Sequence, residues 1–292
     1  MKVADLHLHT RYSDGAYTPL ELVRAAAREG FAAIAVTDHD TLDAIPESLA
    51  VGRKLGVEVI AGAEITCGAE MKEIHMLGYF FGRGWEHPPL QAVLEHSKRV
   101  RERRTEEFVV RLNELGIPLK LADVLACSEC GTLGRPHVAM ALVKRGFVGS
   151  LEEAFERFLR PGKPAYVERH RMSTAEAIGH IRRAGGIAVL AHPGLNRVDD
   201  LIQNMAAQGL DGLEAWHSRH TPAQSARYLK MAERFKLLAT GGSDCHGPGR
   251  DGPLIGTIRL PYDRVEAMKQ RAASHPDPVP NGEKKSPLPR KG

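Results

Sequence analysis

From residue 3 to about residue 81, short apolar runs rich in β-branched residues alternate with segments of helical period. Repeating strand–helix units write this pattern. Strands are predicted from residue 3 onward and over 31–37, 57–63 and 73–80, with helices over 19–28 and 43–55. The first helix has a legible start: Thr18 as N-cap, Pro19 at the first helical position and Glu21 at N3 form a capping box, and Gly30 follows the last turn.

Between residues 82 and 167 the period-2 signal disappears and the chain reads as helices over 90–115, 121–127, 136–144 and 151–159, an inserted helical subdomain. The alternation resumes at a second capping box, Ser173 to Glu176. Strands then follow at 187–190, 212–216, 237–240 and 255–260, interleaved with helices at 199–207, 222–235 and 263–272. From 274 to 292 proline, lysine and glycine replace apolar residues, which leaves nothing to offset the entropy of ordering, so a disordered tail is expected.

The chain's 292 residues, 42% of them hydrophobic, suffice for one large domain carrying an insertion. No stretch approaches the roughly 20 apolar residues of a membrane span, and no leader precedes the first strand, so a cytoplasmic protein is expected. Four cysteines make no disulfide framework. Cys127 and Cys130 form a lone CxxC with no second pair, and read as partly buried thiols. Half of the formal charge of +4 comes from the tail, where Lys284, Lys285, Arg290 and Lys291 outnumber Asp277 and Glu283. The nearly neutral body argues against a long duplex nucleic acid partner. No obligate protein partner is evident.

Histidines and carboxylates collect where the apolar runs end. His7 and His9 are two apart in the first strand, so both rings point to one face. Asp38 and His39 follow the run 34–37, Glu64 follows 59–62, and His75 lies in the fourth strand. His192 follows 187–191, and Asp244 and His246 follow 237–242. The carboxyl ends of parallel barrel strands are where such a fold gathers its active site, which predicts a multinuclear metal hydrolase.

The order His7-x-His9, Asp14, Asp38-His39, Glu64, His75, His192 and Asp244-x-His246 resembles the PHP (polymerase and histidinol phosphatase) family. The resemblance implies a distorted (β/α)7 barrel, residues 1–81 and 168–273, with a helical cap, 82–167, over the metal mouth. It assigns His7, His9, Glu64 and Asp244 to one ion, Glu64, His75 and His192 to a second, and Asp14, His39 and His246 to a third. Two to three divalent ions are expected, Mn²⁺ first and Zn²⁺ or Fe²⁺ next, because the set lacks thiolate. His192 and His246 are candidate proton donors to the leaving oxygen. Asp38 is grouped with them as a catalytic residue that orients a ligand imidazole.

Arg101 and Arg104 are three apart on one predicted helix, and Arg135 opens another. On spacing alone the first two belong to a solvated charged face shared with Glu102, Glu106 and Glu107. Around Ser13-Asp14-Gly15, residues 37–41, Glu73-Ile74-His75, Arg135-Pro136-His137, Pro164 to Val167 and residues 191–194, the chain looks like the PHP subgroup of 3′,5′-nucleoside bisphosphate phosphatases, some of which also degrade short RNA from the 5′ end. That likeness makes Arg101, Arg104, Arg135, His137 and His217 candidate substrate contacts. It implies a small phosphorylated nucleotide or a short RNA 5′ end as ligand. His217 has a purely structural alternative. The rivals are a histidinol-phosphate phosphatase and a catalytically silent PHP module.

Overall fold

The computed structural model describes residues 2–69, 72–128, 133–168, 171–248 and 254–275. Its centre is a nine-stranded sheet: β1 (Val3–Leu8), β2 (Ala33–Val36), β3 (Glu58–Ala69), β4 (Lys72–Phe80), β5 (Met172–Ser173), β6 (Ile187–Leu190), β7 (Gly212–His217), β8 (Leu238–Gly242) and β9 (Leu260–Pro261). The order is β8-β7-β6-β4-β3-β2-β1-β9, with β5 added to the far end of β3. The two ends of this path nearly meet. Beyond β8 the chain runs beside β1, with Asp244 N donating to His7 O at 2.9 Å and His9 N to Cys245 O at 3.0 Å. A Cβ on Gly242 would lie 2.3 Å from the Cβ of His7, so only glycine lets the strands approach this closely and curl the sheet into a barrel-like ring.

One expectation is corrected. β4 is not parallel to its neighbours: it pairs antiparallel with β3 from Ala61–Phe80 to Ala69–Lys72, and antiparallel with β6. No crossover helix separates β3 from β4, so the connection is a hairpin, which the run of strand signals did not distinguish from a parallel unit. The strand predicted over 255–260 shrinks to the two residues of β9, which lie antiparallel to β1.

Alternate strand positions fill the interior. Leu6, Ala35, Ile60, Leu77, Tyr79, Ile187 and Val189 form one buried cluster. The outward residues Leu8, Ile34, Val36, Ile65, Ile74 and Met76 pack beneath the helices that follow the strands. Both sheet faces are covered, which explains the almost continuous apolar runs. The capping boxes at Thr18 and Ser173 form as expected.

Helices Pro88–Glu114, Leu121–Leu125, Arg135–Lys144 and Leu151–Ala154 build a separate core around Phe108, Leu112, Val138, Leu142, Phe158 and Leu159. The last of these helices runs into a π-turn, Phe155–Leu159. Cys127 is buried there, while Cys130 lies outside the described residues.

At the other end, the last helix, Asp263–Ala273, is followed by a fixed histidine. His275 bonds Asp211 Oδ1 at 2.9 Å and Gly186 O at 3.0 Å and is almost fully buried. The folded chain therefore reaches 275, one residue past the expected start of the tail; 276–292 lie outside the described residues. Among the described residues no helix is long and apolar enough to cross a membrane.

Candidate metal centre

Glu64 lies at the middle of the site because β3 carries it past the end of β2, where it bridges to His39. Its Oε2 is 3.3 Å from the Nε2 atoms of both His7 and His9 and 3.1 Å from His39 Nδ1. Its Oε1 is 2.7 Å from His75 Nδ1 and 3.0 Å from His192 Nε2. Each oxygen thus serves a different set of imidazoles. Asp244 Oδ1 lies 3.5 Å from His7 and 3.2 Å from His9. Asp14 Oδ1 lies 3.3 Å from His246, and Asp14 Oδ2 3.8 Å from His39.

Four groupings of donor atoms result, each compact enough for one cation: His7, His9, Glu64 and Asp244; His39, Glu64 and His75; His9, Asp14, His39 and His246; and His7, Glu214 and His217. The first coincides with a set assigned from the resemblance. The second departs from its assigned set: His39 stands with Glu64 and His75 where His192 was expected, and His192 reaches Glu64 Oε1 at 3.0 Å without joining a compact grouping. In the third, Asp14, His39 and His246 are together as assigned, with His9 beside them, and the fourth was not expected. The chemistry of these atoms fits divalent ions. His7 Nε2, both ring nitrogens of His9, Asp14 Oδ1 and His39 Nδ1 are buried without a hydrogen-bond partner. Each such atom costs about 1–3 kcal/mol if nothing compensates it, and all face the same small volume.

The electrostatics point the same way. Burial alone would raise the Glu64 carboxyl, yet the imidazoles of His39, His75 and His7 hold it well below the usual range. Asp244 is likewise held down, against burial, by His7, His217 and His246, and Asp14 by His246 and His39. Burial works against a charged His9, but Asp244 and Glu64 raise it to about 10. His75 is raised to about 9 against burial by Glu64 and Glu73. His39, where burial prevails, falls to about 3. Protons here take the place that cations would fill.

Backbone geometry is bent to deliver these side chains. His192 has φ of 28° and Asp244 of 57°, left-handed values that cost a non-glycine residue about 1–3 kcal/mol. The His192 amide is held by Glu214 Oε2 at 2.7 Å.

Beside this floor a cleft is lined by Asp14, His39, His75, Arg101, Arg104 and Arg135, together with Phe108, Pro136 and Phe155. Arg101 and Arg104 are not on a solvated face. Arg101 donates from Nε to Asp40 Oδ2 at 2.5 Å and from Nη2 to Thr66 at 2.6 Å, and Arg104 donates to Val167 O at 3.0 Å. Glu73 ties the wall together, reaching Arg135 at 2.5 Å, Arg171 at 3.3 Å and His75 at 3.6 Å.

The PHP domain model matches residues 5–161. The chain belongs to the PHP family. It is 36% identical over 252 residues to a 5′-3′ exoribonuclease of Haemophilus influenzae, covering 85% of this chain and 91% of that one. It is 34% identical over 265 residues to a 3′,5′-nucleoside bisphosphate phosphatase of Chromobacterium violaceum, covering 86% and 90%. A structure assigned as a metal-dependent phosphoesterase from Bifidobacterium adolescentis superposes with a TM-score of 0.84 at 35% identity, over 92% of this chain and 96% of that one. The protein is a PHP phosphoesterase, a hydrolase acting on phosphate esters.

Other candidate residues of the PHP chain are placed differently from the expectation. Asp38 does not orient an imidazole through a direct hydrogen bond. Its carboxylate accepts from Thr10 N at 2.8 Å, Thr10 Oγ1 at 2.7 Å and Ser13 Oγ at 2.6 Å, so it pins the loop that carries His9 and Asp14. His137 is buried in the first turn of its own helix, where its Nδ1 accepts from Gly134 N, and is not part of the cleft wall. His217 is packed behind Asp244, 3.3 Å from Oδ2.

The residue that does orient an imidazole went unnoticed in the sequence. Glu214 Oε1 is 3.0 Å from His7 Nδ1, which turns Nε2 toward Glu64. Its signal was a carboxylate inside the apolar strand 212–216, which has no place in a core unless something binds it. Asp40, Glu73 and Arg171 were not assigned a role either, because the arginine and carboxylate partners that fix them are distant in sequence.

Proposed function

We propose that this phosphoesterase removes the 3′-phosphate of nucleoside 3′,5′-bisphosphates, and that the same cleft trims short 5′-phosphorylated RNA from its 5′ end. The observation that carries this reading is a single cleft with metal-type ligands along its floor and three arginines on one wall. The names of the relatives from Chromobacterium violaceum and Haemophilus influenzae support it. In this reading β1, β2, β3, β4, β6, β7 and β8 are the seven-stranded barrel, and residues 82–167 are its cap.

Arg101, Arg104 and Arg135 hold the 5′-phosphate, a task suited to the guanidinium fork. Bound cations would be held by His7, His9, Glu64 and Asp244, by Glu64, His75 and His192, and by Asp14, His39 and His246. Two to three bound divalent ions, Mn²⁺ first and Zn²⁺ or Fe²⁺ next, would supply an acidified water and neutralise charge on the phosphoryl oxygens. His246 or His192 delivers the proton that the departing 3′-oxygen takes up.

The test is a comparison of catalytic efficiencies on a nucleoside 3′,5′-bisphosphate, the matching 3′-monophosphate and histidinol phosphate. The bisphosphate should be cleaved at least about tenfold better than the monophosphate, the effect of one charge-assisted phosphate contact. A preference for histidinol phosphate would overturn the assignment.

A further inference from the structure

A second cavity, of about 350 Å³, opens on the other side of Asp14, Pro136 and Phe155, the three residues it shares with the arginine-walled cleft. Its remaining wall is Met140, Leu151, Glu152 and Arg160 from the helical segment, with Arg219 and His246 facing them. The arginine-walled cleft is smaller, about 150 Å³, below the usual size of a pocket for a whole organic ligand. The two cavities and the floor form one track. It runs from Arg135 past His75 and His39 to Asp14, then past His246 to Arg219.

We propose that this second cavity binds the nucleotide that follows the scissile phosphate of an RNA substrate. The inference rests on the function proposed above. With the 5′-phosphate against Arg101, Arg104 and Arg135, and the next phosphate over the floor, a chain continuing in the same direction passes Asp14 and enters this space. Phe155 and Pro136 offer faces on which a base stacks irrespective of its identity, and the Phe155–Leu159 π-turn fixes the position of that ring. Arg219 supplies a cation where the following phosphate would lie.

The chemistry accommodates both substrates with one bond. Water oxygen bonds to phosphorus, the P–O3′ bond breaks, and the 3′-oxygen takes a proton while the attacking water loses one. From a bisphosphate the products are a nucleoside 5′-monophosphate and inorganic phosphate. From RNA they are a nucleoside 5′-monophosphate and a chain one nucleotide shorter that bears a 5′-phosphate. The new 5′-phosphate matches the arginine wall and lets the cycle repeat.

Arg219 is exposed, whereas Leu151 is half-buried against the helical core, so the melting transition of its variant is measured beside the kinetics. Arg219→Ala removes the cation and Leu151→Trp fills the cavity. Both should keep bisphosphate turnover within about twofold of wild type, while the efficiency on a 5′-phosphorylated trinucleotide falls roughly tenfold, as the loss of a charge-assisted contact gives. Equal losses on both substrates would overturn the proposal, because the cavity would then hold the first nucleoside. Unchanged trinucleotide cleavage in both variants would overturn it as well. A wild-type enzyme that cleaves no bisphosphate would instead remove the functional reading on which the inference rests.

Discussion

Glu64 lies under the cleft and Arg101 stands at its side, and the chain positions them by different routes. Glu64 is carried by β3, and its imidazole partners end or follow strands of the same sheet, so the floor is placed by the barrel itself. Arg101 sits on a 27-residue helix and is held by Asp40 and Thr66, which belong to the barrel. Arg104 is fixed by Val167 O and Arg135 by Glu73. The wall is thus a set of cations borrowed from the helical segment, two of them, Arg101 and Arg135, clamped by the barrel carboxylates of Asp40 and Glu73. The floor follows from the fold, whereas the wall requires that two cores dock correctly.

The strongest way to break this comparison is to remove the floor. Glu64→Gln should reduce hydrolysis to background on bisphosphates and on a small generic phosphoester alike, since the lost charge serves two of the four donor groupings. Chelation should do the same, and elemental analysis of active protein should find two to three divalent ions per chain. Full activity after verified metal removal would sink the mechanism. Unfolding on Glu64→Gln, seen as a collapse of the melting transition, would show that the floor is needed for the fold.

Wall substitutions should separate the substrates. Arg135→Ala leaves Glu73 with Arg171 and should lower efficiency on bisphosphates by roughly ten- to a hundredfold while sparing the generic phosphoester. Arg101→Ala should in addition destabilise the protein by about 3 kcal/mol, because it strips a buried carboxylate, Asp40, of its cation. Denaturant titration beside steady-state kinetics reads both effects. Equal losses on the two substrates would make the arginines part of the scaffold.

The same contrast explains what the sequence disclosed. His7, His9, Glu64, His192 and Asp244 were legible because a polar residue at the end of an apolar run has a local signature, and the strand period assigns its face. The antiparallel turn of β4 was not legible, since a strand's direction is decided by its partners and not by its own residues. Arg101 looked solvated from its helical neighbours Glu102 and Glu106; its partners Asp40 and Thr66 are 61 and 35 residues away in sequence. Glu214 carried a signal in its apolar surroundings, but its partners lie on β1 and after β6.

Glu214 sharpens the comparison from within the floor. Glu214→Gln keeps the shape yet sets an amide against either His7 Nδ1 or the His192 amide, so one of the two contacts is lost. Metal affinity, read by chelator competition, should weaken about tenfold, as for other groups that hold a ligand in place. The melting temperature of the metal-free protein should move little. A large drop in that temperature with unchanged affinity would reassign Glu214 to the fold.

The smallest effect is a proton count. In the metal-free protein, carboxylates hold His9 at about 10 and His75 at about 9, so both rings are charged at pH 7.5. An imidazole must be neutral to bind a cation, so loading the floor expels those protons. The sign follows from the shifts: a histidine raised above its ordinary value stabilises the metal-free fold most below pH 6.5 and loses that contribution as pH rises through 9 to 10. Arg101, Arg104 and Arg135 release nothing at this pH, so the count reports the floor alone. Titration calorimetry with Mn²⁺ at pH 7.5, in buffers of different ionisation enthalpy, should show at least two protons released per chain, His7 adding to the count because, against burial, Glu214 and Glu64 raise it too. Release near zero would mean that both rings are already neutral, and that their charged partners are balanced by something other than protons.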